Sequence, residues 1–374
     1  MRYFFSTGEP SGERSAVVLA SAIRGRDARA QFEGIGAGAM RNAGFRLWRD
    51  HTGWASMGPL AAIPRIPKLL AQMWLTALHL AKTKPDLVVL TDFGVFNVRL
   101  AKTLRERLGY RGAIVYLFPP AAWLDSERTA RAVSRWTLPV TAFAHQEAFY
   151  RGLGLPIRYF GHPLLSQYAL RAPRPSPPPG GGRVALLPGS RAGEFHRHAP
   201  LLLRALEQLR VKRPVVQATL GAADERIRER LQRMLARSGV RDVRVALGVR
   251  AALEDADAAW VASGTAVLEA ALIGVPSIAI YVVSPSVVWY GRRMQRRIHG
   301  GRFITLPNLV MDEELVPEYL QGDATPEQLA RAMNDLLVDT ERAAARFGDL
   351  RRALGDERGL DAIADYAVAS ARPQ

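Results

Sequence analysis

The chain has 374 residues, 48% of them hydrophobic and 23% charged, which is enough for two globular domains with a core each and excludes a disordered or fibrous protein. It contains no cysteine, so disulfide scaffolding and thiolate chemistry are excluded, and a reducing compartment fits. The 51 basic residues outnumber the 35 acidic ones; this net +16 calls for an anionic partner, nucleic acid or an anionic membrane surface, or reflects GC-rich codons that favour arginine.

The N-terminus, Met1 to Gly8, runs directly into a strand-and-turn pattern and lacks the apolar core of a signal peptide, which places the chain in the cytoplasm. Arg2–Phe5, Gln31–Ile35, Leu87–Thr91 and Ala113–Phe118 read as parallel strands, with helices between them that include Glu13–Arg24 and Val98–Leu108. This is the doubly wound α/β pattern, whose ligands sit beyond the carboxyl ends of the strands. The apolar run Leu69–Ala81 is broken by Gln72, Thr76 and His79 and falls short of the roughly 18 to 20 residues that span a bilayer. It reads as an interfacial or a buried helix.

The tract Arg171–Gly182 is rich in proline and glycine, cannot continue a helix or a central strand, and marks a linker. Beyond it, strands are expected at Arg183–Leu187, Val215–Leu220, Val243–Leu247, Ala258–Val261 and Ser277–Val282. The pattern thus repeats, with a first domain over 1–168, a linker over 169–182, a second domain over 183–345, and a helical tail over 346–374 that has the option of returning to the first domain. Two such domains make a cleft, where ligands bind.

The second half carries the stronger site signal. In Leu187-Pro188-Gly189-Ser190-Arg191, Gly189 permits a turn at the end of a strand, the backbone donors face the strand's carboxyl end, and Arg191 offers a fork suited to phosphate. Pairing with Glu194 is the plainer role for Arg191. Ser263-Gly264-Thr265 opens a helix whose free amides face an incoming anion, and Glu269, about one and a half turns on, can reach a nucleotide's sugar hydroxyls or be an exposed helix acid. The combination suits a nucleotide diphosphate.

These motifs resemble the lipid-A-disaccharide synthase family, inverting glycosyltransferases of the two-domain architecture called GT-B. The resemblance runs through Leu187 to Glu194, Ala262 to Glu269 and Thr305-Leu306-Pro307-Asn308-Leu309. It extends to Gly8-Glu9-Pro10-Ser11-Gly12, Met57-Gly58, Pro85 to Asp92, and Tyr159 to Leu164, in order and at similar spacing. It implies transfer of a diacylglucosamine unit from UDP to diacylglucosamine 1-phosphate, with a β-1,6 bond formed and UDP released, in lipid A biosynthesis. Both lipid substrates sit at the inner membrane, so a cytoplasmic enzyme peripherally bound to that anionic surface is implied. The Trp54–Leu80 region would face lipid, or simply pack in the core.

By the same resemblance Asp92 is the base that takes the acceptor's proton, and Gly189, Ser190, Arg191, Ser263, Gly264, Thr265 and Glu269 hold UDP. His162 and Asn308 close around the donor, and Glu9, Ser11 and Met57 line the acceptor side. No cofactor and no metal are implied. The departures fall mostly in the acceptor half. Val95 stands where a second acid is common, Gln146 lies in a segment that replaces a Pro-Phe-Glu arrangement, Ser166 replaces a frequent Asp, and Glu13 stands for an Asp. The alternatives are a GT-B UDP-sugar transferase with another lipid or glycan acceptor, and a UDP-sugar epimerase-like enzyme. Nucleic acid is not expected, because the basic run Arg292-Arg293-Met294-Gln295-Arg296-Arg297 has no aromatic residue within it. That run reads as a face for anionic head groups or as a solvated surface.

Overall fold

The computed structural model describes residues 1–52, 54, 66–120, 126–190, 192–283 and 302–371. They form two compact units, one of residues up to Ser166 together with the chain from Leu354 onward, the other of residues 167–283 and 302–353.

The first unit is built on β1 (Arg2–Ser6), β2 (Gln31–Gly36), β3 (Arg46–Asp50), β4 (Leu87–Thr91), β5 (Ala113–Leu117), β6 (Leu138–Thr141) and β7 (Arg158–Tyr159), in the order β3-β2-β1-β4-β5-β6-β7. Every pairing is parallel. A parallel sheet must be covered on both faces, and successive side chains along a strand point to opposite faces. Tyr3 and Phe5 accordingly pack with Leu19 and Ile23 of the helix Pro10–Arg24 and with Ile363, Ala364 and Ala367 of the helix Gly359–Ala371. Phe4, Val88, Leu90 and Tyr116 pack on the other face with Met73 and Leu80 of the helix Ile66–Thr83 and Phe96 and Leu100 of the helix Gly94–Lys102. The helix expected over Val98–Leu108 is this last one, continued by a π-helical turn at Thr103–Arg107.

The second unit has the parallel order β10-β9-β8-β11-β12-β13. Its strands are β8 (Arg183–Leu187), β9 (Gln217–Ala222), β10 (Val243–Leu247), β11 (Ala258–Ala262), β12 (Ser277–Tyr281) and β13 (Glu318–Leu320). Leu186 and the fully buried Trp260 face the helices Ala192–Lys212 and Pro326–Leu336, and the Trp260 indole donates to the Leu329 carbonyl at 3.2 Å. Leu187 and Val261 face Val267 and Ala270 of the helix Thr265–Ile273.

The Pro/Gly tract expected as a linker belongs to the second unit. The chain passes between units at Ser166 and Gln167. The tract is fastened because its polar groups find partners there: the Arg171 amide donates to the Ile273 carbonyl at 3.0 Å, the Arg171 guanidinium to the Ala256 carbonyl at 2.6 Å, and the Thr340 amide to the Ser176 hydroxyl at 3.0 Å. Among the described residues no helix is long and apolar enough to cross a membrane.

Candidate active site

In each sheet the strand order reverses direction once, between β1 and β4 and between β8 and β11. The crevice beyond the carboxyl ends of the strands at such a reversal is where open α/β sheets bind ligands. The sequence motifs fall at these two places: Gly8-Glu9 follows β1 and Asp92 follows β4, while Pro188-Gly189-Ser190 follows β8 and Ser263-Gly264 follows β11.

In the first unit Glu9 is the N-cap of the helix Pro10–Arg24, and Ser11 lies in its first turn. A methyl group built on Gly12 would sit 3.5 Å from an Asp92 carboxylate oxygen, so that carboxylate lies against the same turn. Asp92 and Phe93 both have φ of +47°, two consecutive non-glycine residues in the left-handed region. Such residues cost about 1–2 kcal/mol each and persist only where the surroundings impose them.

Asn97 and Tyr116 impose it here. The fully buried Asn97 donates its side-chain amide to the Asp92 carbonyl at 3.0 Å and to the Thr91 carbonyl at 3.2 Å, and accepts from the Ser6 hydroxyl at 2.7 Å. The Tyr116 hydroxyl donates to the Asp92 carbonyl at 2.9 Å, and its burial pushes its pKa well above the usual phenol value. The Phe93 ring in turn lies across Gly8, where any side chain would collide with it at 2.2 Å.

Glu13 is part of this frame. Its carboxylate is buried and accepts from the Ala37 and Met40 amides at 2.8 Å each, tying the first helix to the end of β2. Val95 is 72% exposed, so the residue at this departure from the family pattern points outward. Met57 lies outside the described residues.

In the second unit a helix begins at Ala192, directly after the Pro188-to-Arg191 motif in the sequence. Gly189 has φ of +101°, and a methyl group there would meet the buried Glu194 carboxylate at 2.9 Å. Ser190 is half-buried beside it, and Arg191 lies outside the described residues. His198 spans the strand ends: its Nε2 accepts from the Val282 amide at 2.9 Å, which leaves Nδ1 to donate to the Pro188 carbonyl at 3.2 Å. Burial lowers its pKa and favours this neutral form.

Gly264 is the N-cap of the helix Thr265–Ile273, with no side-chain cap, and nothing stands within 4 Å of a methyl group built on it. Ser263 and Thr265 flank it, half-buried. Glu269 is not an exposed helix acid; it is 4% exposed, and one carboxylate oxygen accepts from the Tyr168 hydroxyl at 2.6 Å.

Two expected donor residues have other partners. Asn308 is fully buried and its amide group is used within the second unit: it donates to the Val316 carbonyl and the Glu318 carboxylate and accepts from the Leu315 and Val316 amides, all between 2.7 and 2.9 Å. Glu318 also takes the Thr305 amide and hydroxyl, so the Thr305-to-Asn308 motif shapes its own loop. His162 belongs to the first unit, where its amide donates to the Leu354 carbonyl at 2.8 Å, its Nδ1 accepts from the Leu164 amide at 3.2 Å, and burial lowers its pKa to about 4. It braces the return of the chain.

A family model described as lipid-A-disaccharide synthetase matches residues 3–359. A lipid-A-disaccharide synthase from Alkalilimnicola ehrlichii is 34% identical, covering 99% of this chain and 98% of its own. The chain belongs to the lipid-A-disaccharide synthase family. Membership makes it a hexosyltransferase. The calicheamicin glycosyltransferase aligns with a TM-score of 0.61 at 16% identity, covering 99% of this chain and 97% of that one. A UDP-GlcNAc 2-epimerase from Neisseria meningitidis, bound to UDP-GlcNAc, aligns at 0.60 with 9% identity over 99% and 100%. These likenesses show the fold, two Rossmann-like domains of the GT-B type.

Asn97, Glu318, His198 and Tyr168 escaped the sequence reading of this lipid-A-disaccharide synthase family member. Asn97 and His198 lie close to quoted motifs, but their partners are groups at or just beyond the ends of strands, among them the Ser6 hydroxyl and the Val282 amide, for which a single sequence carries no signal. The Asp-x-Asp of the second unit, Asp255-Ala256-Asp257, sits at the opposite end of the sheet, where Asp257 pairs with Arg183 at 2.8 Å.

Proposed function

We propose that the chain transfers a diacylglucosamine unit from UDP to the 6-hydroxyl of diacylglucosamine 1-phosphate. Asp92 takes the hydroxyl proton as that oxygen attacks the anomeric carbon, the bond to the UDP oxygen breaks, and the diphosphate leaves on the opposite face with inversion. The observation that carries this reading is the braced pair of left-handed residues at the end of β4, with the Asp92 carboxylate against the first turn of the helix that follows β1.

The departing diphosphate carries charge that needs preorganised donors. Arg191, the turn at Gly189 and Ser190, and the uncapped helix start at Ser263 to Thr265 would supply them, and Glu269 would accept from the ribose hydroxyls. Glu9 and Ser11, beside Asp92, and Met57 would line the acceptor. Asn308 and His162 act here through the loops they brace.

The helix Ile66–Thr83 would seat the enzyme on the anionic inner surface. Ile66, Leu70, Trp74 and Leu78 recur every fourth residue and are 38–51% exposed, and the helix carries Lys68 and Lys82.

The test is incubation of purified protein with UDP-diacylglucosamine and diacylglucosamine 1-phosphate, with products read by mass spectrometry. The expected result is a β-1,6 disaccharide phosphate and one UDP for each bond formed. UDP released without that disaccharide would replace the acceptor by another lipid or glycan, and no UDP release would overturn the reaction.

A further inference from the structure

The turn Pro188-Gly189-Ser190 follows β8 and the segment Val282-Val283 follows β12, two strands that are not neighbours because β11 lies between them. The His198 side chain joins them. Fully buried on the helix Ala192–Lys212, it donates from Nδ1 to the Pro188 carbonyl at 3.2 Å and accepts at Nε2 from the Val282 amide at 2.9 Å. The exit of β11 is tied to the same strand, since the Ser263 amide donates to the Ile280 carbonyl at 2.8 Å. Pro188, His198, Val282, β12 and Ser263 thus form one chain of contacts that links the two glycine turns at the carboxyl end of the sheet.

The helix by itself holds the histidine less firmly than an unbroken one would. Pro200 has no amide hydrogen to give the His196 carbonyl, so the first two turns rest on one ladder bond fewer. A buried imidazole with both nitrogens used supplies what is missing, because it cannot rotate without stranding a buried polar group. Only the neutral ring fits. A proton on Nε2 would face the Val282 N–H, and burial lowers the pKa of the ring and keeps that proton off.

We propose that His198 is a positioning residue for diphosphate recognition, fixing the Pro188-Gly189-Ser190 turn relative to Ser263-Gly264 so that both serve one diphosphate. The role rests on the diphosphate reading of these two turns. It predicts a penalty that depends on phosphate, because loosening the turn weakens a ligand that carries a diphosphate and spares uridine, which carries none.

The experiment measures binding to the full chain of UDP, by calorimetry, and of uridine, by ligand-observed NMR. It compares the native protein with His198→Phe and Arg191→Ala, with thermal melts confirming that each variant is folded. Native protein should prefer UDP. His198→Phe removes both hydrogen bonds and keeps a ring in the space, so it should weaken UDP about 3- to 10-fold while binding uridine as before. Equal weakening toward both ligands, or undiminished UDP affinity, would overturn the proposal. Should Arg191→Ala keep the native preference for UDP, the diphosphate reading falls and the His198 role with it. Should Arg191→Ala lose the preference while His198→Phe retains it, only the His198 role falls. A second measurement needs no variant: nitrogen NMR spectra of the native protein should show the His198 ring protonated at Nδ1 and bare at Nε2, with both signals moved by UDP and not by uridine. A proton on Nε2, or signals indifferent to UDP, would overturn the role as well.

Discussion

At the scale of single residues, the site depends on side chains whose backbone is held in costly conformations by buried amides and hydroxyls. Asp92 is the clearest case. Its carbonyl takes donors from both Asn97 and Tyr116, and its φ of +47° is one that asparagine tolerates at least as well as aspartate. Asp92→Asn therefore keeps the turn and removes only the basicity, so UDP affinity should be retained while turnover with the native acceptor falls by a factor of about 10² to 10⁴. Single-turnover kinetics beside UDP calorimetry separate the two quantities. Normal turnover would make Asp92 structural and move the base elsewhere.

Among the elements, legibility followed the apolar pattern rather than position alone: the edge strand β10, Val-Arg-Val-Ala-Leu, was read, whereas the interior β6, four residues with a proline, was not. β4, five residues buried on both faces, stands in the sequence as an uninterrupted apolar run and was readable to the residue, as was β8 with its buried Val184 to Leu187. β3 reads Arg-Leu-Trp-Arg-Asp, β7 has two residues and β13 three, and all lie at sheet edges, where pairing with one neighbour rather than an apolar pattern makes the strand. The site divides in the same way. Gly189, Gly264 and Asp92 announce themselves by turn chemistry at strand ends, whereas the buried roles of Asn308 and His162 depend on loops that only the folded chain brings together.

The helix Ile66–Thr83 was readable as an apolar helix, and what remained open was which face it buries. Met73, Ala77 and Leu80 enter the core, and the stripe Ile66, Leu70, Trp74 and Leu78 stays outside. Replacing Trp74 and Leu78 together by Gln should thus leave the melting temperature nearly unchanged and lower partitioning onto anionic vesicles about tenfold, since that factor needs only about 1.4 kcal/mol of lost apolar burial. For the native protein, partitioning should also fall as salt rises, because surface charges are screened beyond roughly 8 Å at physiological ionic strength. Cosedimentation with neutral and anionic vesicles checks both, and unchanged partitioning of the double variant would count against this helix as the contact.

For the whole molecule, the consequential feature is that the chain leaves the first unit at Ser166, completes the second, and returns at Leu354 to lay the helix Gly359–Ala371 on the first sheet. The two units therefore differ in how they can be cut. The first needs a segment from each end of the chain, since Ile363, Ala364 and Ala367 cover Tyr3 and Phe5, and truncation after Ala353 would uncover that apolar face. Among the described residues the second lies wholly between those two crossings: its six strands, the helices on both faces and the fastened Pro/Gly tract all fall within 167–283 and 302–353. A fragment of residues 167–353 should consequently fold cooperatively by itself and bind UDP within about tenfold of the full chain, while showing no transfer, because Asp92 is absent. Circular dichroism melts and calorimetry decide it. A folded fragment with no measurable UDP affinity would mean that the nucleotide site draws on residues of the first unit, and the assignment of Gly189, Gly264 and Glu269 as a sufficient donor site would have to be given up.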